Sequence, residues 1–135
     1  MIVSSRGRYA LRILVDLALH QQEGYVPMKE MAKRQDISQK YMESIMPVLV
    51  KGGLVAGVTG KGGGYRLTRA PASITVGEVL RLTEGDLAPV SCLSSKGEPC
   101  GRTAVCPTFK MWEDFDKLTN DYFDAIPLSR LLGRE

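Results

Sequence analysis

The stretch Pro27-Met28-Lys29-Glu30-Met31-Ala32-Lys33-Arg34-Gln35-Asp36-Ile37-Ser38-Gln39-Lys40-Tyr41-Met42-Glu43-Ser44-Ile45-Met46-Pro47-Val48-Leu49-Val50-Lys51-Gly52-Gly53 decides the fold. Pro27 suits the first position of a helix, where its missing N–H leaves no bond unmade. Met28, Met31 and Ala32 then share one short apolar face, with Lys29, Glu30, Lys33 and Arg34 outside. Gln35-Asp36-Ile37 reads as a tight turn and Ser38 as the N-cap of a second helix. Ile37 before the cap and Met42 at the fourth helical position are placed to form a hydrophobic staple. The second helix should bury Met42, Ile45 and Leu49, expose Gln39, Lys40 and Glu43, and stop at Gly52-Gly53. Pro47 inside it removes one backbone hydrogen bond and is expected to kink it, at a cost of up to about 3 kcal/mol. Two short helices joined by so tight a turn are a helix-turn-helix.

Downstream, Leu54 to Val58 reads as a strand, Thr59-Gly60-Lys61-Gly62-Gly63-Gly64 as a glycine-rich turn, and Tyr65-Arg66-Leu67 as the return strand. A hairpin directly behind a helix-turn-helix is a wing. The turn is no phosphate loop, because Val55 stands where that motif needs glycine and Gly62 where it needs Ser or Thr. Contiguous glycines beside Lys61 instead let the backbone approach a DNA phosphate closely. Upstream, Ser4 or Ser5 should cap a helix running to about His20. Arg8, Arg12, Asp16 and His20 form its polar stripe, with Arg12 and Asp16 spaced to pair. Leu11, Leu14, Val15, Ala18 and Leu19 are expected to face the core.

Charge is divided unequally. Residues 1–70 carry eleven Lys and Arg against five Asp and Glu, whereas residues 71–135 carry seven against ten. A basic first half suits a polyanion, and an acidic second half suits a separate partner or sensor. No apolar run reaches the roughly 20 residues that cross a bilayer. The N-terminus leads straight into a helix, so the expected location is the cytoplasm, with no membrane partner. In that reducing setting an odd number of cysteines argues against a disulfide framework.

Pro71-Ala72-Ser73 opens a connector in which Ser73 is expected to cap a short helix, Val76 to Leu82, apolar at Val76, Val79 and Leu80. A Gly- and Pro-rich loop follows that holds all three cysteines, Cys92, Cys100 and Cys106. Seven residues separate the first pair and five the second, too many for a zinc knuckle. Iron–sulfur clusters accept looser spacing but usually take four ligands. Spacing alone therefore leaves cluster, other metal, disulfide and free thiols open. Beyond the loop, Thr108 to Ala125 reads as one long helix. Met111, Phe115, Leu118 and Tyr122 recur on it at coiled-coil spacing, a seam suited to a second copy of the chain. Asp114, Asp116, Asp121 and Asp124 flank the seam, and Leu128, Leu131 and Leu132 form a tail.

On DNA, Lys40, Lys51, Lys61, Arg66 and Arg69 are candidate phosphate contacts, joined by Arg6, Arg8 and Arg12. Base reading falls to Ser38, Gln39, Tyr41 and Glu43, since Gln can read adenine and Glu can accept from cytosine. Tyr41 is equally a candidate core residue. The DNA-facing set is thus Ser38, Gln39, Lys40, Tyr41, Glu43, Lys51, Lys61, Gly62, Gly63 and Arg66. His20, the single histidine, reads as a solvated residue at a helix C-terminus. No nucleophile, base and acid converge, so no enzyme is expected.

Taken in this order, the elements resemble the IscR/NsrR-type regulators, the Rrf-two family of winged-helix transcription factors. The likeness is carried by Gly7-Arg8-Tyr9-Ala10, Ile37-Ser38-Gln39-Lys40-Tyr41-Met42-Glu43, Gly53-Leu54-Val55, Gly62-Gly63-Gly64-Tyr65 and Val76-Gly77-Glu78-Val79. Cys92, Cys100, Cys106 and the downstream Trp112 complete it. The resemblance implies a homodimer with crossing C-terminal helices and an iron–sulfur cluster (2Fe-2S or 4Fe-4S) on the three cysteines near the interface. Cluster state would then alter DNA affinity or site choice and report iron, cluster supply, nitric oxide or redox stress. Phe109 stands where some members place a histidine ligand, and Arg8 where others place a carboxylate. Thr59 precedes the wing glycines where many carry arginine for the minor groove. The fourth ligand is thus unassigned, with Glu98, Asp86 and His20 of the partner subunit as candidates.

The expected fold is mainly α with a small β-hairpin wing: a winged helix-turn-helix plus a long C-terminal dimerisation helix. Residues 1–70 would be the DNA-binding domain, 71–91 a connector, 92–106 the cluster loop and 107–135 the dimerisation helix and tail. The expected function is a DNA-binding regulator, a repressor acting on a double-stranded operator. Alternatives are a thiol-redox or zinc-responsive regulator on the same scaffold, and an iron–sulfur redox or assembly protein docking an acidic partner.

Overall fold

A computed structural model describes residues 3–97 and 100–133. Helix α1 spans Ser5–His20, and Ser4 caps it by accepting the Gly7 N–H. Its buried positions are Gly7, Ala10, Ile13, Leu14, Asp16 and Leu17. This rotates the expected face. Leu14 is buried as predicted, Leu11, Val15 and Ala18 only flank the core, and Leu19 is 53% exposed. The reason is Asp16, which was read as part of a polar stripe but is 1% exposed.

Asp16 joins α1 to α2. Helix α2 spans Met28–Gln35, with Pro27 at its N-cap and Met31 and Ala32 buried. Arg34 lies at the surface as expected, and from there its Nε and Nη2 donate to Asp16 at 3.0 and 2.7 Å, while Gln35 Nε2 donates at 2.9 Å. Asp16 therefore pairs with Arg34, not with Arg12. The Arg12 guanidinium instead donates to the Gln35 side chain and carbonyl. Burial pushes the Asp16 carboxyl up, but hydrogen bonds from Arg34 and Gln35 and the charges of Arg34 and His20 outweigh it and hold it below the usual carboxylate range.

Asp36 closes α2 in the left-handed region at φ 53°, so the chain turns sharply into Ile37. Helix α3 spans Gln39–Lys51, capped by Ser38, whose hydroxyl accepts the Tyr41 N–H at 3.1 Å. It buries Met42, Ile45, Met46 and Leu49 and runs through the exposed Pro47 to Gly52. Strands β1 (Val55–Val58) and β2 (Gly64–Leu67) pair antiparallel, Val55 opposite Leu67. The hairpin is tied back at Val26, which exchanges both backbone hydrogen bonds with Tyr65 at 2.8 Å.

That tie depends on Gly64. At φ 152°, a Cβ there would overlap the Val26 carbonyl and lie 2.8 Å from Pro27 N, all rigid backbone. Gly64→Ala is therefore expected to destabilise the fold by about 2 kcal/mol or more, from backbone strain and a lost bridge. Urea melts would read this. A change under about 0.5 kcal/mol, the range of an ordinary surface substitution, would contradict it.

A 3-10 turn at Pro71–Ser73 leads to α4, Val76–Glu84. Its cap is Thr75, not Ser73: the Thr75 hydroxyl accepts the Glu78 N–H, whereas Ser73 Oγ bonds back to Ala70. A second 3-10 turn, Ser91–Leu93, carries Cys92, and α5 spans Phe109–Asp124. After α5 the chain returns. Leu128 N–H donates to Ile74 at 2.7 Å and Val76 N–H to Ile126 at 2.9 Å. Leu128 is fully buried in the same core as α1, α2 and α3, so one core runs through the winged helix and the chain's end. A smaller cluster of Val76, Leu80 and Leu87 packs with Leu11, Phe123 and Ile126.

Candidate functional site

Helix α3 presents Gln39, Lys40, Glu43 and Ser44 to solvent. Ser38 is exposed, but its hydroxyl accepts from the Tyr41 N–H. Tyr41 is half-buried: its ring meets Tyr9 edge-on at 5.3 Å and its hydroxyl lies 3.0 Å from Ser5 Oγ. The open choice for Tyr41 thus resolves toward packing, with its rim still at the surface. The Arg12 guanidinium in turn sits 5.1 Å over the Tyr9 ring. A shallow groove beside these groups is lined by Arg6, Ser38, Lys40, Tyr41 and Ser44.

The remaining candidate cations differ in how free they are. Arg6, Arg8, Lys40, Lys51 and Lys61 are exposed and have no polar partner among the described residues. Lys61 stands at the wing tip between Gly60 and Gly62, both at positive φ with open space around them. Gly63 is half-buried beneath the turn, and Arg66 lies 5.7 Å over the Tyr25 ring. Arg69 is held by both carboxylate oxygens of Glu78, at 2.9 and 2.7 Å.

All three cysteines are free thiols; Cys92 and Cys106 are half-buried and Cys100 is exposed. Cys106 stands just before α5, its Sγ 3.3 Å from Thr108 Oγ1. The Thr108 hydroxyl and the backbone N–H groups of Thr108 and Phe109 lower its thiol below the ordinary range. Asp86 organises the loop's first part. Its Oδ2 accepts from Ser94 Oγ at 2.7 Å and from the Ser95 backbone at 3.1 Å, while Oδ1 accepts from Ala88 N–H. The Ser94 hydroxyl and the Ala88 N–H, helped by Ser95, hold the Asp86 carboxyl low against slight burial. Of the other candidate ligands, Glu98 lies outside the described residues. His20 points its Nδ1 at the Asp16 carbonyl, 2.8 Å away.

Among the described residues no three of His, Cys, Asp and Glu stand together as a metal site. The donor chemistry nevertheless fits an iron–sulfur cluster: three soft thiols outside any disulfide share one loop, and the thiol of Cys106 is lowered below its ordinary range. Sequence reasoning did not find the Asp86 staple. The signal was present as an acid eight and nine residues before two serines.

Helix α5 leaves Met111, Phe115, Leu118 and Tyr122 exposed by 52, 40, 67 and 63%. No residue of α5 is fully buried, although Trp112 and Phe123 are half-covered. Of the flanking acids, Asp114 and Asp121 pair with Lys110 and Lys117, Asp116 accepts from Asn120, and Asp124 holds Arg81 of α4 at 2.7 Å. No helix among the described residues is long and apolar enough to cross a membrane.

A helix-turn-helix with an exposed recognition helix, a hairpin wing and unpaired cations on both defines a winged-helix DNA-binding protein. A sequence model of the Rrf2 family, described as iron-dependent transcriptional regulator, matches residues 3–134, and the chain belongs to that family. It is a transcriptional regulator, not an enzyme. It is 39% identical over 132 residues to the HTH-type transcriptional regulator IscR of Aliivibrio salmonicida, covering 98% of this chain and 77% of that one. Among solved structures it is similar to CymR (YrzC), the global cysteine regulator of B. subtilis, with TM-score 0.79, 30% identity and 98% and 96% of the two chains covered. It is also similar to T. potens IscR, with TM-score 0.76, 34% identity and 98% and 86% coverage.

Proposed function

We propose that this chain is a cytoplasmic, homodimeric repressor whose grip on a double-stranded operator is set by an iron–sulfur cluster held by Cys92, Cys100 and Cys106. One observation carries the reading: three free thiols share a loop that is pinned at Asp86 beside α4 and ends at the start of a helix with an exposed apolar seam. A 2Fe-2S or 4Fe-4S cluster would supply a redox- and iron-responsive tie between the two ends of that loop. The chain's own residues do the rest. Gln39 and Glu43 reach base edges, with Ser38 and the Tyr41 rim beside them. Lys40, Lys51, Lys61 and Arg66, with the Gly62 and Gly63 backbone, hold phosphates. The seam Met111, Phe115, Leu118 and Tyr122 sets the distance between two recognition helices, which must match half-sites about 34–36 Å apart or a multiple of it.

The test is anaerobic isolation followed by absorption and electron-resonance spectra, with iron and sulfide counted. A brown protein with sulfide-to-iron charge-transfer bands is expected. Cys92→Ser, Cys100→Ser or Cys106→Ser should each abolish most bound iron while duplex binding at low salt survives. Protein that stays colourless after anaerobic reconstitution with iron and sulfide would sink the cluster and leave the DNA reading standing. Three free thiols on one loop also support a second reading, a thiol-redox or zinc switch without iron. Native mass spectrometry separates it from the first by lost protons or added zinc.

A further inference from the structure

Helix α1 begins under an electrostatic handicap. Its first turns carry Arg6 and Arg8 and no acid, placing positive charge at the positive end of the helix dipole. The missing anion arrives from α4. Glu84 Oε1 accepts from Ser4 Oγ at 2.6 Å and from Ser4 N–H at 3.2 Å. Ser4 Oγ in turn accepts the Gly7 N–H. This is the bonding of a capping box, except that the acid comes from 80 residues along the chain. Gly7 makes room for it, since a Cβ there would lie 2.5 Å from the same carboxylate oxygen. The next residue, Ser5, holds the Tyr41 hydroxyl, and Arg6 lines the groove with Ser38, Lys40 and Tyr41.

We propose that Glu84 is a positioning residue of the DNA interface: by capping α1 from α4 it aims Arg6, beside Lys40, at one backbone phosphate at the start of the recognition helix. The inference rests on the DNA-binding reading above and is independent of any cluster. It has an unusual sign. An acid near a polyanion-binding surface normally repels DNA, so its neutralisation should tighten binding. Here neutralisation should weaken it.

The experiment measures fluorescence anisotropy of a mixed-sequence duplex of about 30 bp, long enough for two half-sites, over a series of salt concentrations. Wild type, Glu84→Gln, Arg6→Ala and the double variant are compared, with Ser4→Ala as a second way to break the same contact. Glu84→Gln and Ser4→Ala should each weaken binding several-fold, and flatten the salt slope by about 0.9 per protomer, the loss of one phosphate contact. Glu84→Gln should add nothing to Arg6→Ala, because both remove the same contact. Tighter or unchanged binding by Glu84→Gln or Ser4→Ala, or additive losses in the double variant, would overturn the role. Wild-type protein with no salt-dependent binding would instead overturn the DNA reading itself.

Discussion

Arg34→Met should lower the melting temperature by about 10–20 °C. Asp16 is 1% exposed, and Arg34 supplies two of its three side-chain hydrogen bonds and its nearest opposite charge. Removing that partner strands a buried carboxylate, a change that typically costs about 3–5 kcal/mol. For a domain of this size each kcal/mol moves the midpoint by about 3–5 °C. The pH dependence carries a definite sign. In the wild type the folded carboxyl is depressed, so its contribution is complete above the unfolded value and fades as pH falls through the carboxylate range. In Arg34→Met, burial dominates and the folded carboxyl rises above the unfolded value. The difference between variant and wild type should then be widest at neutral pH and narrow on acidification. Thermal melts at several pH values would show it, and a gap that is constant or widens with acid refutes the account.

The second large effect belongs to α5. Phe115→Glu with Leu118→Glu should convert a dimer into a monomer in light scattering and weaken operator binding by about 10²-fold or more, because two linked half-site contacts become independent. Both side chains are 40% or more exposed in the single chain, so the substitution should leave helical content and monomer folding intact. That separation makes the result readable. A variant that stays dimeric would place the interface elsewhere.

Much of this was legible in the sequence because it depends on local chemistry. Ser38 caps, Ile37 and Met42 are buried at both ends of the first turn of α3, and the wing glycines turn where a hairpin must. The face of α1 was misread because Asp16 looks polar in one dimension, and its partner lies 18 residues away on another helix. The Thr75 cap was missed for a similar reason, since Ser73 is an equally good capping residue and only the 3-10 turn at Pro71–Ser73 decides between them. The site divides along the same line. The exposed cations and apolar seam follow from periodicity, whereas Asp86 and Glu84 act through partners 8 and 80 residues distant that no periodic pattern marks.

The shared core has a bearing on protein engineering. Leu128 is fully buried among residues of α1, α2 and α3, Ile74 pairs with it through the backbone, and the anion that caps α1 comes from α4. The winged helix and the segment after residue 70 therefore cannot be exchanged as cassettes. A chimera that grafts residues 71–135 onto a different winged helix would bring Leu128 against a surface not shaped to receive it unless α1 of this chain were transplanted with it. The same interlock means that a change of volume at Leu128 or Ile74, or of charge at Glu84, must be matched across that junction for the fold to keep its packing.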